Sequence, residues 1–393
     1  MRFLSYPKVS AVALPRGTAT RCTTPDEDDT NKKNLLLSNL RSAGRSLKGR
    51  KDVSRSNEDR FFAIDDLFRV EATAAAASPP SRPRRTPPPT PSPFPSKSSS
   101  PPAGASPPPT AALVSAAVGH VGVYGVFDGH GGASCAELVS QHLPRAVRGS
   151  PAWARLVAPR DHGDGAPATP PRPQPPAPGG PSTEGAGFEE LLRGVMKEAL
   201  LDGFEKTQEA ALGQRGNSGA TAVVALVVRR QLVIANLGDS GGLFHDGGGP
   251  AEGGPRTIRT ECHTVENPAE RRRVEAAGGT FAGGRLFGRM QPTRSFGDRD
   301  IQRIQKGALL AVPEVTMHQI MPANGLTFLV LGSDGLWEGV AESKVSSVVH
   351  AENERRRSKH KPARTAPRIA ESLAQRAVKA SQDDITAVVV LFD

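Results

Sequence analysis

The sequence predicts an α+β layered fold, because apolar segments that follow one another as strands are accompanied by groups of amphipathic helices. The segments TAVVALVV and QLVIANLG are two buried strands joined by Arg229 and Arg230. Apolar, β-prone runs predict further strands in VGVYGVF, LTFLVLG and TAVVVLF. Strand pairs in meander order with helices grouped around them are typical of this fold class.

The predicted strand VGVYGVF ends at Asp128, in the stretch GVFDGHGG. The glycines after Asp128 permit backbone angles that are closed to other residues, so a tight turn is expected there. A helix is predicted next, with Ser134 as its N-cap and one apolar face that includes Leu138 and Leu143. A strand, a turn and a helix are therefore expected to hold this carboxylate rigidly.

The later helices are predicted from apolar spacing and from end signals. A long amphipathic helix follows from the recurrence of Phe188, Leu191, Leu192, Val195, Met196, Ala199 and Phe204. Asn267 and Pro268 begin a basic helix that Gly278 ends. Two more helices are expected between Glu342 and Ala380, before the last strand.

Carboxylates recur beside the apolar strand segments. Besides Asp128, they are Glu58, Asp59, Asp239, Asp334 and Asp383. Carboxylates that crowd together raise one another's pKa unless cations neutralise them. Oxygen ligands in this number suit hard cations, so we expect two or more Mg²⁺ or Mn²⁺ ions.

An isolated Asp-Gly at a strand end is usually only a turn, but these motifs occur as an ordered set. The chain resembles the metal-dependent serine/threonine protein phosphatases of type 2C from about residue 49 to its C-terminus. The matching motifs, in the order of that family, are NED at residues 57–59, DGHGG at 128–132, GNSGATA at 216–222, ANLGDS at 235–240, TRSFGD at 293–298, PEV at 313–315, SDGLW at 333–337 and DDIT at 383–386.

This resemblance implies a two-sheet antiparallel β-sandwich flanked by helices on both sides, in four layers. It also implies roles for matching residues. Asp128 would bridge two metal ions, Glu58 and the carbonyl of Gly129 would hold one, and Asp334 with Asp383 would hold the other.

The resemblance implies three further roles around these ions. Asp239 matches an additional metal site, Asp59 would orient water, and His130 would be the general acid. The implied activity is hydrolysis of phosphoserine and phosphothreonine in phosphoprotein substrates. The phosphate-binding arginine that the family places four residues before Glu58 is replaced by Ser54, and Arg55 stands one residue later as the candidate.

A second departure leaves an alternative open. Gly241 occupies the position where the family has an arginine after GDS. The alternative function is therefore a pseudophosphatase, which would bind phosphoproteins or a regulatory partner as a scaffold with little turnover.

Composition and charge limit the other function classes. The net charge of +10 comes without an aromatic-interleaved basic motif, so no nucleic-acid partner is expected. The three cysteines, Cys22, Cys135 and Cys262, have no paired spacing, which indicates an intracellular protein without a disulfide framework or zinc site. No apolar run is long enough to span a membrane, and we expect a monomer that does not bind membranes.

The chain divides into a tail and one domain. Residues 1–45 are predicted to be a disordered or transit-peptide-like tail, so a cytoplasmic, nuclear or organellar location stays open. Residues 46–393 are the predicted catalytic domain. Low-complexity inserts rich in Pro, Ser and Ala are expected at about residues 71–110 and 158–187.

Arg55 generates the first testable prediction. A charge-assisted hydrogen bond contributes about 1.5 to 3 kcal/mol, so Arg55→Ala should lower kcat/KM for a phosphate ester about ten- to a hundredfold. In an extended segment the side chain reaches the site only if a bulge turns it to the face that the family's arginine uses. Steady-state kinetics would measure the loss. An unchanged kcat/KM would show that phosphate binding does not use Arg55.

Overall fold

The described part of the chain, residues 40–48, 57–64, 121–157, 183–248, 254–321, 325–358 and 365–392 of a computed structural model, contains fifteen strands. They are β1 (Leu40–Leu47), β2 (Arg60–Ile64), β3 (Val121–Phe127), β4 (Gly129–His130), β5 (Gly219–Ala220), β6 (Ala222–Val228), β7 (Gln231–Leu237), β8 (Gly241–Asp246), β9 (Arg256–Arg259), β10 (Phe281–Ala282), β11 (Arg285–Leu286), β12 (Phe296–Gly297), β13 (Glu314–Gln319), β14 (Thr327–Gly332) and β15 (Ile385–Phe392).

Eight helices accompany these strands in the same described ranges. They are α1 (Ser134–Arg148), α2 (Pro151–Val157), α3 (Thr183–Gly213), α4 (Pro268–Ala276), α5 (Arg299–Ile304), α6 (Asp334–Gly339), α7 (Glu342–Ser358) and α8 (Thr365–Ala377). The long helix, the helix beginning after Asn267 and the two helices before the last strand all lie where the sequence predicts them.

Two five-stranded sheets form the middle of the domain. One has the strand order β1-β15-β14-β8-β9 and the other β13-β7-β6-β3-β2, and neighbouring strands are antiparallel. Successive side chains on a strand point to opposite faces. On β6, Val223 and Ala225 therefore pack in the core between the sheets, whereas Val224 and Leu226 pack beneath the helices.

Three apolar cores give the fold its four layers. One core lies between the two sheets. A second joins the outer face of the β3-containing sheet to α1, α2 and α3, and a third joins the outer face of the β15-containing sheet to α6, α7 and α8. Every strand residue from Ala222 to Val228 is buried because both faces of the sheet are covered. The predicted α+β sandwich with helices on both sides is confirmed.

Three details of the sequence prediction are wrong. Residues 40–45 were assigned to the tail, but β1 begins at Leu40 and pairs with β15, where Leu40 lies opposite Phe392. Helix α3 begins at Thr183, inside the second predicted insert. Ser134 is the first helical residue, and the N-cap position belongs to Ala133, which has no capping side chain; the hydroxyl of Ser134 lies 2.7 Å from Oγ of Ser218.

Most of both inserts, at residues 71–110 and 158–182, lies outside the described residues. Among the helices that are described, none is both long enough and apolar enough to cross a membrane.

A smaller unit, the hairpin module, consists of α4, the β10–β11 hairpin and α5. Gly283 and Gly284 form the hairpin turn with φ of 56° and 73°, which is the left-handed region that favours glycine. The module has its own apolar core, formed by Val274, Leu286, Met290, Ile301, Ala308 and Leu309. This core fixes the hairpin independently of the two central sheets.

Glu270 on α4 ties this module to the following segment. Its carboxylate is buried and accepts hydrogen bonds from Oγ1 of Thr293 (2.7 Å), Nη2 of Arg273 (2.9 Å) and Nη2 of Arg294 (2.6 Å). Burial alone would raise the pKa of this carboxyl, but the hydrogen bonds and the charge of Arg294 lower it from 4.5 to about 2.

We expect Glu270→Gln to lower the free energy of unfolding at pH 7 by about 3 kcal/mol, because the variant leaves two guanidinium groups without their carboxylate. The folded pKa of Glu270 lies below the unfolded value, so this stabilisation is complete above about pH 4.5 and is lost as the pH falls towards 2. Denaturant unfolding of wild type and variant at pH 7 and pH 3 would measure the difference.

The matched control is Glu275→Gln on the same helix. Glu275 forms an exposed ion pair with Arg271, which should contribute under about 1 kcal/mol to the free energy of unfolding. A Glu270→Gln deficit that stays equal at both pH values would contradict the ionic origin of the stabilisation.

Candidate metal centre

Six carboxylates meet in one cavity of about 330 Å³ at one end of the sandwich. They come from segments that start or end strands in both central sheets, which is why residues far apart in the chain become neighbours. They are Glu58 before β2, Asp128 after β3, Asp239 after β7, Asp334 after β14, and Asp383 and Asp384 before β15. All five metal-ligand side chains that the sequence predicts are therefore together.

The electrostatics of this cluster favour cations. Burial raises the pKa of Asp128 well above its usual range, and the neighbouring charges of Asp334, Asp59 and Asp239 raise it further. Burial and the charge of Asp334 raise the pKa of Asp239 to about 7. Carboxyl groups with such pKa values keep their charge at neutral pH only when cations compensate them.

Two orphaned oxygens and one glycine support the same interpretation. Among the described residues, Oδ1 of Asp59 and Oδ1 of Asp334 are buried without a hydrogen-bond partner. A Cβ on Gly129 would lie 2.6 Å from the carbonyl oxygen of Glu58, so only glycine allows these two backbones to approach. Buried carboxylate oxygens without donors fit hard divalent cations as ligands.

The six carboxylates line the same cavity, but their side chains are not arranged as the ligands of one metal ion. In the ranges that the structure describes, no three His, Cys, Asp or Glu side chains are already arranged to hold one metal ion. Burial also raises the pKa of Asp334, while a hydrogen bond between its side chain and Asp128 opposes that shift. The two carboxylates that the family resemblance assigns to the bridge and to one ion are thus close neighbours in the cavity.

Asp59 lies behind the cavity, and polar neighbours fix its side chain. Its Oδ2 accepts a hydrogen bond from Oγ1 of Thr386 at 2.7 Å, and its backbone N–H donates to Oδ1 of Asn57 at 2.8 Å. Burial, with smaller contributions from Asp384 and Asp334, raises its pKa to about 8. One carboxylate oxygen of Asp59 is thus held while the other is left for a water or an ion.

Asp384 is a site residue that sequence reasoning missed. Its Oδ2 accepts a hydrogen bond from the backbone N–H of Glu58 at 2.9 Å, while Oε2 of Glu58 accepts one from the backbone N–H of Gly132 at 3.3 Å. The only signal in the sequence was that it stands next to Asp383. Asp384 positions Glu58 across the junction between the two sheets.

His130 forms a pair with Asp298, a second residue whose role the sequence did not indicate. Nε2 of His130 lies 2.8 Å from Oδ2 of Asp298, which also accepts a hydrogen bond from Oγ of Ser295 at 2.5 Å. Burial works against the charged imidazole, but the hydrogen bond and charge of Asp298 raise the pKa of His130. A Cβ on Gly219 would collide with both members of the pair.

Three cations line the cavity among the described residues, and they are Lys48, Arg285 and Arg289. Arg55 lies outside the described residues, so its role stays a prediction. The two arginines were missed because the segment around the β10–β11 hairpin has neither a helical nor a strand period long enough to read from sequence.

The place beside Gly241 is occupied by a different arginine. The guanidinium of Arg259 on β9 lies 3.7 Å from the ring centroid of Trp337, and a Cβ on Gly241 would collide with its Nη1. Nε1 of Trp337 donates hydrogen bonds to the carbonyls of Gly332 (3.0 Å) and Gly241 (3.2 Å). The glycine at position 241 therefore makes room for a cation that stacks next to the Asp334 segment.

Comparison with known proteins identifies the family of this chain. The family model described as protein phosphatase 2C matches residues 183–385. The chain is 30% identical over 280 residues to "Probable protein phosphatase 2C 59" of Oryza sativa subsp. japonica, covering 69% of this chain and 67% of that protein. It is 29% identical over 284 residues to the protein of the same name in Arabidopsis thaliana, covering 69% and 70%.

Solved structures share the fold at lower identity. The crystal structure of serine-threonine phosphatase 2C from Toxoplasma gondii superposes with a TM-score of 0.58 and 19% identity, covering 90% of this chain and 94% of that one. The family model spans more than half of the chain and the sandwich is shared, so this chain belongs to the protein phosphatase 2C family.

Proposed function

We propose that this protein hydrolyses phosphoserine and phosphothreonine in phosphoproteins with Mg²⁺ or Mn²⁺ as its metal. The observation that carries the proposal is the convergence of six carboxylates on a cavity that also contains His130. We place the catalytic domain at residues 46–393, extended at its N-terminal end to Leu40 because β1 completes the sheet.

The family resemblance supports a place for each ion among the carboxylates that line the cavity. Asp128 would bridge two ions, with Glu58 and the carbonyl of Gly129 on one side and Asp334 with Asp383 on the other. Asp239 would serve an additional ion on the same wall. When bound, the ions supply positive charge for the phosphoryl group and lower the pKa of water towards neutrality.

The side chains of this chain divide the remaining work. The free oxygen of Asp59 accepts a hydrogen bond from the attacking water and orients it towards phosphorus. His130 donates a proton to the oxygen of the departing serine or threonine, which is a poor leaving group as an alkoxide. Asp298 positions the imidazole and favours its protonated form.

The pseudophosphatase remains the second candidate, on the displaced Arg55 and on Gly241. The missing arginine at position 241 argues less strongly for a pseudophosphatase, because the guanidinium of Arg259 fills the space beside Gly241. Hydrolysis of p-nitrophenyl phosphate with and without Mn²⁺ separates the two candidates, since a scaffold would bind phosphopeptides without releasing phosphate.

Asp128→Asn tests the metal centre with a readout that does not need turnover. Without metal, the variant should melt at the same temperature as wild type or higher, because it removes one of several repelling buried carboxylates. Added Mn²⁺ should raise the melting temperature of wild type by several degrees and that of the variant much less. Phosphatase activity of wild type should disappear in EDTA, and the variant should be inactive.

The control is Glu275→Gln, an exposed carboxylate on α4 that does not line the cavity. Equal Mn²⁺ stabilisation of wild type and Asp128→Asn would place the metal elsewhere.

His130→Gln tests the acid through its dependence on the leaving group. For a phosphothreonine peptide, kcat should fall about 10²- to 10⁴-fold, because the alkoxide then leaves without a proton. For p-nitrophenyl phosphate, whose leaving group is stable as an anion, the loss should be severalfold only. Asp298→Asn should show the same selectivity with a smaller loss, since it acts through His130.

His142→Gln on α1 is the matched control, because this histidine contacts Thr207 and does not line the cavity. Equal losses on both substrates would exclude proton donation by His130.

A further inference from the structure

The cavity is built from two regions of opposite charge. Six carboxylates belong to the ends of the central strands, whereas Arg285 and Arg289 reach the cavity from the hairpin module. An anionic substrate bound in this cavity therefore lies near two guanidinium groups. Guanidinium groups bind carboxylates and phosphates through paired hydrogen bonds, so these side chains are suited to anions.

Neither arginine is committed to a strong internal ion pair. Nη1 of Arg285 makes a long hydrogen bond of 3.4 Å to the carbonyl of Arg289, and none of the described carboxylates pairs with it. Nη1 of Arg289 lies 3.0 Å from Oδ2 of Asp300, but the arginine side chain is 57% exposed. An exposed pair of this kind contributes little and is readily exchanged for another carboxylate.

The hairpin holds both arginines in place before a ligand arrives. Arg285 pairs with Ala282 across the Gly283-Gly284 turn, and Leu286 beside it is buried in the core of the hairpin module. The Glu270 hydrogen-bond network fixes the helix on which this hairpin packs. The support fixes the backbone positions of both arginines, so binding an anion has to order only their side chains, which favours selective contacts.

We propose that Arg285 and Arg289 bind acidic side chains next to the phosphorylated residue, so that the substrates are phosphoserine or phosphothreonine segments flanked by Asp or Glu. This inference rests on the proposed function for the identity of the reaction, but not for the binding preference. The phosphoryl group belongs at the carboxylate end with its metal ions. The flanking residues then lie against the hairpin, which forms another wall of the same cavity.

The experiment compares phosphothreonine peptides whose flanking residues are Glu, Ala or Lys, with Mn²⁺ present. Both kcat/KM and the Kd from fluorescence anisotropy are measured for each peptide. Wild type should prefer the Glu peptide over the Lys peptide at least about tenfold. Arg285→Glu/Arg289→Glu should lower kcat/KM for the Glu peptide about ten- to thirtyfold and remove or reverse the preference.

The control must carry the same change in net charge, because a chain with a net charge of +10 attracts acidic peptides in general. Arg272→Glu/Arg303→Glu serves this purpose, since both arginines are exposed on helices of the same module and neither lines the cavity. This control should keep the preference for the Glu peptide. Both double variants should melt within a few degrees of wild type.

Hydrolysis of p-nitrophenyl phosphate separates flank binding from phosphoryl binding. The cavity variant should lose much less activity on this substrate, which has no flanking residues, than on the Glu peptide. An equal loss on p-nitrophenyl phosphate would show that the arginines hold the phosphoryl group and would overturn the proposal, as would an equal loss of preference in the control. If wild type hydrolyses nothing, the proposed function fails, and the anisotropy data still decide the preference.

Discussion

Mutual repulsion among buried carboxylates is the constraint on which the rest of this structure depends. Six acidic side chains share a cavity of about 330 Å³, and burial with neighbouring charge raises the pKa of Asp128, Asp239 and Asp334. Such a cluster is unfavourable without compensating cations. It persists only if the surrounding scaffold is rigid enough to hold the groups together. The two central sheets are that scaffold.

The four-layer architecture keeps the site rigid. Three apolar cores cover both faces of both sheets, so the strand ends that carry the carboxylates cannot move independently. Several site contacts then cross between sheets, as Glu58 to Asp384 does through a 2.9 Å hydrogen bond. Glycines permit the close approaches: Gly129 admits the backbone of Glu58, and Gly219 leaves space for His130 and Asp298. Packing and chemistry therefore constrain the same residues.

The hairpin module adds the opposite charge from an independent support. Its own small core and the buried Glu270 network place Arg285 and Arg289 at the cavity without using the central sheets. This separation has a physical consequence: substitutions on the module can alter which anions approach while the carboxylate cluster keeps its geometry. Arg259 also brings a cation from another segment, because this residue of β9 occupies the space that Gly241 leaves open beside Trp337.

The sequence by itself determined the strands around Asp128, Asp239 and Asp334, since their apolar, β-prone runs favour buried strands, and motifs at their ends predicted the carboxylates that meet in the cavity. It could not locate β1, because LRSAGRSL has too little apolar character and becomes a strand only by pairing with β15. Nor could it assign Asp298, Asp384, Arg285 or Arg289. Asp298 and Asp384 act through contacts across 168 and 326 positions, and Arg285 and Arg289 lie at a cavity whose other walls come from distant segments. Such distances are closed only when the sheets and the module pack. Local pattern decides which segments are buried; only tertiary packing decides which charges meet.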